Sequence, residues 1–181
     1  SCHWYAVDYD GNVYVVAEHF EAGKDVEYHA SKIKEISKRL GWKAGANGRL
    51  NALIDSAAEQ KTLASPRSVA ELFYDYGINV NTKVNKDLFT GIQRVKGYLR
   101  GVNGKPKLYI FKTCPTMISE FKSYWWGAGD RPKKVDDHAM DELRYYLMTK
   151  PENAPVVKKS VIELDKEKRY KRLRRGGNTF L

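Results

Sequence analysis

The spacing of apolar residues divides the chain into short strands and amphipathic helices. Residues 4–7 and 13–17 are two runs rich in Val, Tyr and Trp, the composition of strands. Between them Asp8-Tyr9-Asp10-Gly11-Asn12 is a turn built on Asp-Gly, so the pair reads as an antiparallel hairpin. Over 25–40 the period lengthens to that of a helix: Val26, His29 or Ala30, Ile33, Ile36 and Leu40 form one stripe, and Gly41 ends it. Residues 42–49 are a loop, and 50–55 a short buried strand ending in Asp55. Ser65-Pro66 opens a helix with the stripe Val69, Leu72, Phe73 and Tyr76, closed by Gly77. Residues 78–80 are a strand. Asn85 caps a helix over 86–100 whose Leu88, Ile92, Val95 and Leu99 face inward. Residues 107–111 are a further strand, and Pro115 starts a helix containing Met117, Ile118, Phe121 and Tyr124.

The last helical pattern, 134–147, carries the strongest chemical signal. Met140, Leu143 and Leu147 fall at i, i+3 and i+7, an apolar stripe. Asp137, Asp141 and Arg144 lie on a different stripe, with His138 and Glu142 beside it, and Asp136 or Asp137 suits the N-cap. Acids one turn apart repel unless a positive group sits between them. Carboxylates and an imidazole suit a divalent ion, while acids at a helix start also complement its dipole. Asp55 is the second acidic position. Its place at the end of a core strand is where α/β sheets carry functional groups, and an Asp there also caps a following turn.

Charge then narrows the partner. The formal net charge is +10 over 181 residues, which points to a polyanion. Lys83, Lys86, Arg94 and Lys96 around the 86–100 helix, and Arg131, Lys133 and Lys134 before the acidic helix, are the residues placed to follow a phosphate backbone. A domain over 1–155 is followed by a tail, 156–181, with a strand-like start and seven basic residues between 166 and 175. The chain opens directly on strand-like residues, as a piece of a longer protein would. Cys2 and Cys114 lack metal-type spacing and read as reduced and structural. With no apolar run of membrane-spanning length and no signal-peptide pattern, the chain reads as soluble and intracellular. A Walker loop, a zinc cluster and a Ser nucleophile elbow are absent from the sequence.

The element order predicts an α/β domain: a mixed sheet with helices on both faces and a leading hairpin. Asp55 and the acidic helix can converge on one sheet edge, the arrangement of two-metal phosphodiester cleavage, with ions about 3.5–4 Å apart.

In this order the residues resemble the C-terminal nuclease domain of a tailed-bacteriophage terminase large subunit, the DNA-packaging motor. The resemblance runs through 6–16, 53–57, 91–96, Thr113-Cys114-Pro115 with Glu120, Phe121 and Tyr124, and above all 136–145. It implies an RNase H-like fold. It implies an endonuclease that cuts concatemeric viral double-stranded DNA during genome packaging, using Mg²⁺ or Mn²⁺, two ions, held by three acids. Asp55 corresponds to the second acid. Asp141 and His138, with Asp137 as rival, correspond to the ligands of the late helix. The family's first acid sits on a strand ahead of the one containing His3, and no residue here matches it; Asp8 falls in the hairpin turn. The implied partners are double-stranded DNA, the terminase ATPase domain, the small subunit and the portal, in the host cell cytoplasm. Two other readings compete: another RNase H-like nuclease, such as a resolvase or transposase core, and a non-catalytic DNA-binding fragment.

Overall fold

The computed structural model describes residues 1–61, 66–125, 127, 132 and 137–150. The elements are β1 (Cys2–Val7), β2 (Val13–His19), α1 (Val26–Arg39), β3 (Leu50–Leu53), a 3₁₀ turn (Ser56–Glu59), α2 (Val69–Asp75), β4 (Ile78–Asn81), α3 (Leu88–Arg100), β5 (Leu108–Ile110), α4 (Pro115–Ser123) and α5 (His138–Thr149). The α/β class with mixed pairing and flanking helices is as the sequence predicts. The 156–181 tail lies outside the described residues.

β1 and β2 form the hairpin, with Val7 opposite Val13 and a bulge between Trp4 and Tyr5. Asp8 builds its turn by accepting from the N–H groups of Asp10 and Asn12 and from the Tyr14 hydroxyl, while Gly11 takes φ +78°. β2 pairs parallel with β5, and β3 pairs parallel with β4. The strands therefore fall in two sheets, β1-β2-β5 and β3-β4, where the sequence suggests one. Among the described residues β1 and β5 are the edges of the first sheet, and β3 and β4 each pair on one side only.

Helix starts move where a better cap is available. α2 begins at Val69 with Ser68 as its cap: Ser68 accepts from Glu71 N–H and Glu71 accepts from Ser68 N–H, a reciprocal capping box. α3 is capped by Asp87, which accepts from Thr90 N–H, and Asn85 instead turns the loop before it by accepting from Asp87 N–H. Leu40, Val69 and Leu99 lie exposed rather than inward. In α1 the buried positions are Ala30, Ile36 and Ser37. Ser37 is inside because its hydroxyl accepts from the Trp4 indole N–H at 3.0 Å.

The main core joins Val13, Val15 and Leu108 to Cys114, Met117, Ala139, Met140, Leu143 and Leu147. The apolar stripe of α5 is thus buried as its spacing predicts. Each such Leu contributes about 1.5–3 kcal/mol. Trp4, Ala17 and Ile36 form a second cluster under α1. Cys2 and Cys114 are free thiols, both pushed up in pKa by burial.

Carboxylates tie the helices to the strands. Glu18 on β2 accepts from the N–H groups of Thr116 and Met117 in the first turn of α4, at 2.8 and 3.2 Å. Glu120 on α4 accepts from Ala139 and Met140 in the first turn of α5, at 2.7 and 3.2 Å. Such N–H groups have no partner within their helix and favour an anion. Glu142 on α5 returns to β1, taking the His3 backbone N–H at 2.8 Å and lying 2.9 Å from His3 Nδ1. The other ring nitrogen, Nε2, is 3.4 Å from Glu18.

Burial opposes the His3 charge, but the hydrogen bond and charge of Glu142, joined by Glu18, outweigh it and raise the pKa above 6.5. Burial pushes Glu142 up, yet His3 and Ser1 pull it below the usual 4.5. A raised His contributes stability that is fully present below 6.5 and lost as pH rises through its folded pKa. A lowered Glu contributes stability present above 4.5 and lost as pH falls through its folded pKa. Both parts are complete between 4.5 and 6.5. Thermal melts across pH should show the largest difference between the unaltered protein and His3→Gln in that interval, shrinking above it. A difference that grows as the pH becomes alkaline would contradict this assignment.

Candidate functional site

The chain leaves β3 at Leu53, and Asp55 becomes the cap of the following 3₁₀ turn, its Oδ1 accepting from Ala57 N–H at 2.7 Å. The same oxygen lies 2.5 Å from Lys86 Nζ, in the loop before α3. The capping role and a charged partner therefore coexist on one carboxylate. Burial pushes the Asp55 carboxyl up, but hydrogen bonds from Lys86 and Ala57, the Lys86 charge and a hydrogen bond from Tyr145 hold it below the usual carboxylate range.

α5 brings the second set of groups. His138, Asp141, Glu142 and Tyr145 line a cleft of about 770 Å³ together with Asp55. Residues 1–5 of the β1 side and 51–55 of the β3 side also line it, so the cleft runs between the two sheets. Asp141 is ion-paired to Arg144 one turn on. Arg144 is 5% exposed and also donates to the backbone carbonyls of Lys86 and Asp87, at 3.4 and 3.5 Å. Lys86 thus connects the two acids: its carbonyl is held by the partner of Asp141, and its ammonium sits on Asp55. Tyr145 stands between, its ring 5.1 Å from the Arg144 guanidinium and 6.0 Å from Lys86 Nζ. Burial and the charges of Asp141 and Asp55 raise its phenol.

Asp55, His138 and Asp141 therefore meet at one cleft, while Asp137 is the residue before α5 and does not line it. Its side chain does not cap the helix; Glu120 does. Carboxylates are suitable donors for a hard divalent ion, and Asp55 and Asp141 fit in kind. They fall short in number: among the described residues no three His, Cys, Asp or Glu side chains are gathered to hold an ion.

Of the basic residues expected to follow DNA, Lys83 and Lys86 lie close to Val84, which lines the cleft. Arg94 is half-buried, 5.8 Å from the Tyr98 ring, and lines a groove of about 230 Å³ on α3, and Lys96 is exposed. Arg131, Lys133, Lys134 and Asp136 lie outside the described residues. Sequence reasoning missed the structural pair His3–Glu142, the two capping glutamates and Tyr145. Tyr145 is the recoverable one, since it follows Asp141 by four residues and shares its helix face.

No family model matches the chain, and no curated protein does. Among solved structures, the fold is similar to that of the large terminase from a thermophilic bacteriophage, determined in complex with ADP. The identity is 22%, the match covers 77% of this chain and 34% of that one, and the TM-score is 0.58. This chain thus spans about a third of the length of that protein.

Gly91 sets how closely α3 approaches Arg144: a Cβ there would overlap the Cγ and Cδ of the buried Arg144 side chain. Overpacking of this kind costs about 1–3 kcal/mol. Gly91→Ala should lower the melting temperature by about 2–4 °C per kcal/mol, measured by differential scanning calorimetry. Because Ala in a helix is itself favoured over Gly by about 1 kcal/mol, a melt raised by the corresponding amount would show that Arg144 moves freely and does not clamp Asp141.

Proposed function

We propose that this chain is the metal-dependent endonuclease part of a bacteriophage large terminase, cutting concatemeric double-stranded viral DNA during genome packaging. The observation that carries this reading is the meeting of Asp55, at the end of β3, with Asp141 and His138 of α5 in one cleft. The likeness in fold to a phage large terminase supports it, as does the charge of +10. Asp55 and Asp141 would hold Mg²⁺ or Mn²⁺, with His138 beside them. Held there, such ions would supply activation of a water and neutralisation of charge on the scissile phosphate. The chain's own residues place the acids: Ala57 N–H fixes Asp55, Arg144 fixes Asp141, and Tyr145 separates the two.

The family's first acid, which no residue here matches, would on this reading belong on a strand lying between β1 and β3. Both strands border the cleft with one side unpaired among the described residues, and the Tyr5 hydroxyl at its wall is buried without a hydrogen-bond partner among them. The partners on this reading are duplex DNA, the ATPase domain, the small subunit and the portal, and the place is the host cytoplasm.

One observation favours a second reading, a DNA-binding fragment without cleavage: the absence of a three-ligand cluster among the described residues. Incubating protein that contains this chain with supercoiled DNA separates the two. The endonuclease reading expects nicking or linearisation with Mn²⁺, its loss in EDTA, and a fall of about a hundredfold or more in Asp55→Ala, roughly 2.7 kcal/mol of transition-state stabilisation. Salt-sensitive DNA binding with no cleavage under any metal would establish the second reading instead.

A further inference from the structure

The β1-β2-β5 sheet carries three aromatic rings that neither the core nor the acid-lined cleft uses. Side chains alternate along a strand. Leu108 and Ile110 of β5 pack in the main core, so Tyr109 and Phe111 belong to the opposite face. Tyr14 of β2 is the partner of Tyr109 in the parallel register. Their rings stack, 5.1 Å apart and 14° from parallel, and Phe111 meets Tyr14 edge-on at 6.4 Å. β5 is an edge of its sheet among the described residues. The stack therefore ends at Tyr109, which is 38% exposed, with Phe111 beside it at 48%.

The tyrosine rings are held in place. The Tyr14 hydroxyl donates to Asp8 at 2.9 Å, and the Tyr109 hydroxyl donates to the Pro106 carbonyl at 2.8 Å. Each ring is thus fixed at its backbone and at its tip. A planar ligand laid on this pair meets rotamers already set, so little side-chain freedom is lost on binding.

Charge selects the planar ligand. Residues 88–119 contain six Lys and Arg and no Asp or Glu, and Lys107 and Lys112 flank the exposed pair. Lys107 Nζ donates to the Asp10 carbonyl at 3.4 Å, a neutral partner that leaves its charge uncancelled. Asp8, the acid bonded to Tyr14, is tied into the hairpin turn by bonds from Asp10 and Asn12. Exposed rings among lysines suit a ligand that joins flat apolar faces to phosphates. Nucleotides do both, and any base can stack on an aromatic ring. Bases in a duplex already stack on one another, so only an unpaired strand has faces to give.

We propose that Tyr109 and Phe111, backed by Tyr14, form a base-stacking platform for an unpaired nucleic-acid strand, with Lys107 and Lys112 serving its phosphates. The platform is distinct from the Asp55–Asp141 cleft, and it stands whether or not that cleft cleaves DNA.

The test is fluorescence anisotropy in EDTA, where metal-dependent cleavage plays no part. Protein that contains this chain is titrated onto a labelled thymidine oligonucleotide, a uridine oligonucleotide, an abasic strand with the same number of phosphates, and a blunt duplex. One of the two base-bearing strands should bind at least about fivefold tighter than the abasic strand, the scale of one stacked base; the tighter of them names the sugar. Tyr109→Ala combined with Phe111→Ala should weaken that strand about tenfold and leave the abasic strand and the duplex unchanged. Tyr109→Trp should keep the affinity, which separates loss of stacking from loss of folding. Lys107→Gln and Lys112→Gln should each flatten the logarithmic salt dependence by about 0.7. Equal affinity for base-bearing and abasic strands would overturn the platform. So would an equal loss on strand and duplex in the double alanine variant, or no loss on either.

Discussion

The arrangement of the molecule depends on buried carboxylates set against helix N-termini. Glu18 holds the start of α4, and Glu120, carried by α4, holds the start of α5. A buried carboxylate is costly in isolation. Two N–H donors and the positive end of a helix offset that cost and give it direction. Burial raises Glu120 even so, with the N–H groups of Ala139 and Met140 working against the rise. The sequence of ties closes on itself, because Glu142 of α5 binds His3, and His3 also faces Glu18. Rotation of α5 is thereby fixed from its first turn. With about 100° per residue, burying Met140, Leu143 and Leu147 turns Asp141 and Tyr145 toward the cleft.

That orientation gathers negative charge, and the fold answers it with unequal cations. Asp141 receives a buried guanidinium that is also tied to the α3 loop. Asp55 receives an exposed ammonium from the same loop. Arg144 thus joins α5 to the residue that holds Asp55, and it crosses α3 where Gly91 leaves room for its stem. The acid on the strand end and the acid on the helix are coupled through one loop, although they come from segments far apart in the sequence.

What is legible in the sequence follows from the range of each interaction. The hairpin, α1, α4 and the stripe of α5 rest on local spacing, and they form where that spacing puts them. Asp55 and the acidic helix are legible as a pair because strand-end acids and helical acids are local signals with a shared chemistry. The start of α2 differs from the expectation because Ser65-Pro66 is a good local start, yet Ser68 with Glu71 closes a reciprocal capping box of two hydrogen bonds. Leu99 and Val69 face inward by period alone, but an apolar stripe is buried only where a neighbour covers it. The His3–Glu142 contact spans 139 residues and neither member lies in a motif, so nothing local announces it. Lys86 reads as a phosphate contact from charge alone; its distance to Asp55 exists only in three dimensions.

The separation of the strands into two sheets belongs with these long-range effects. A strand on a sheet edge leaves a row of backbone donors and acceptors unpaired, and such rows recruit another extended segment or must be covered. β1 and β3 both border the cleft that holds Asp55 and Asp141. Tyr5 stacks on Tyr146 of α5 at 3.8 Å, which keeps β1 against the helix while its hydroxyl is buried without a partner among the described residues. An extended segment paired to both strands would satisfy those edges and merge the two sheets into one. The divided sheet and the buried Tyr5 hydroxyl thus share one physical cause, polar groups left without partners among the described residues.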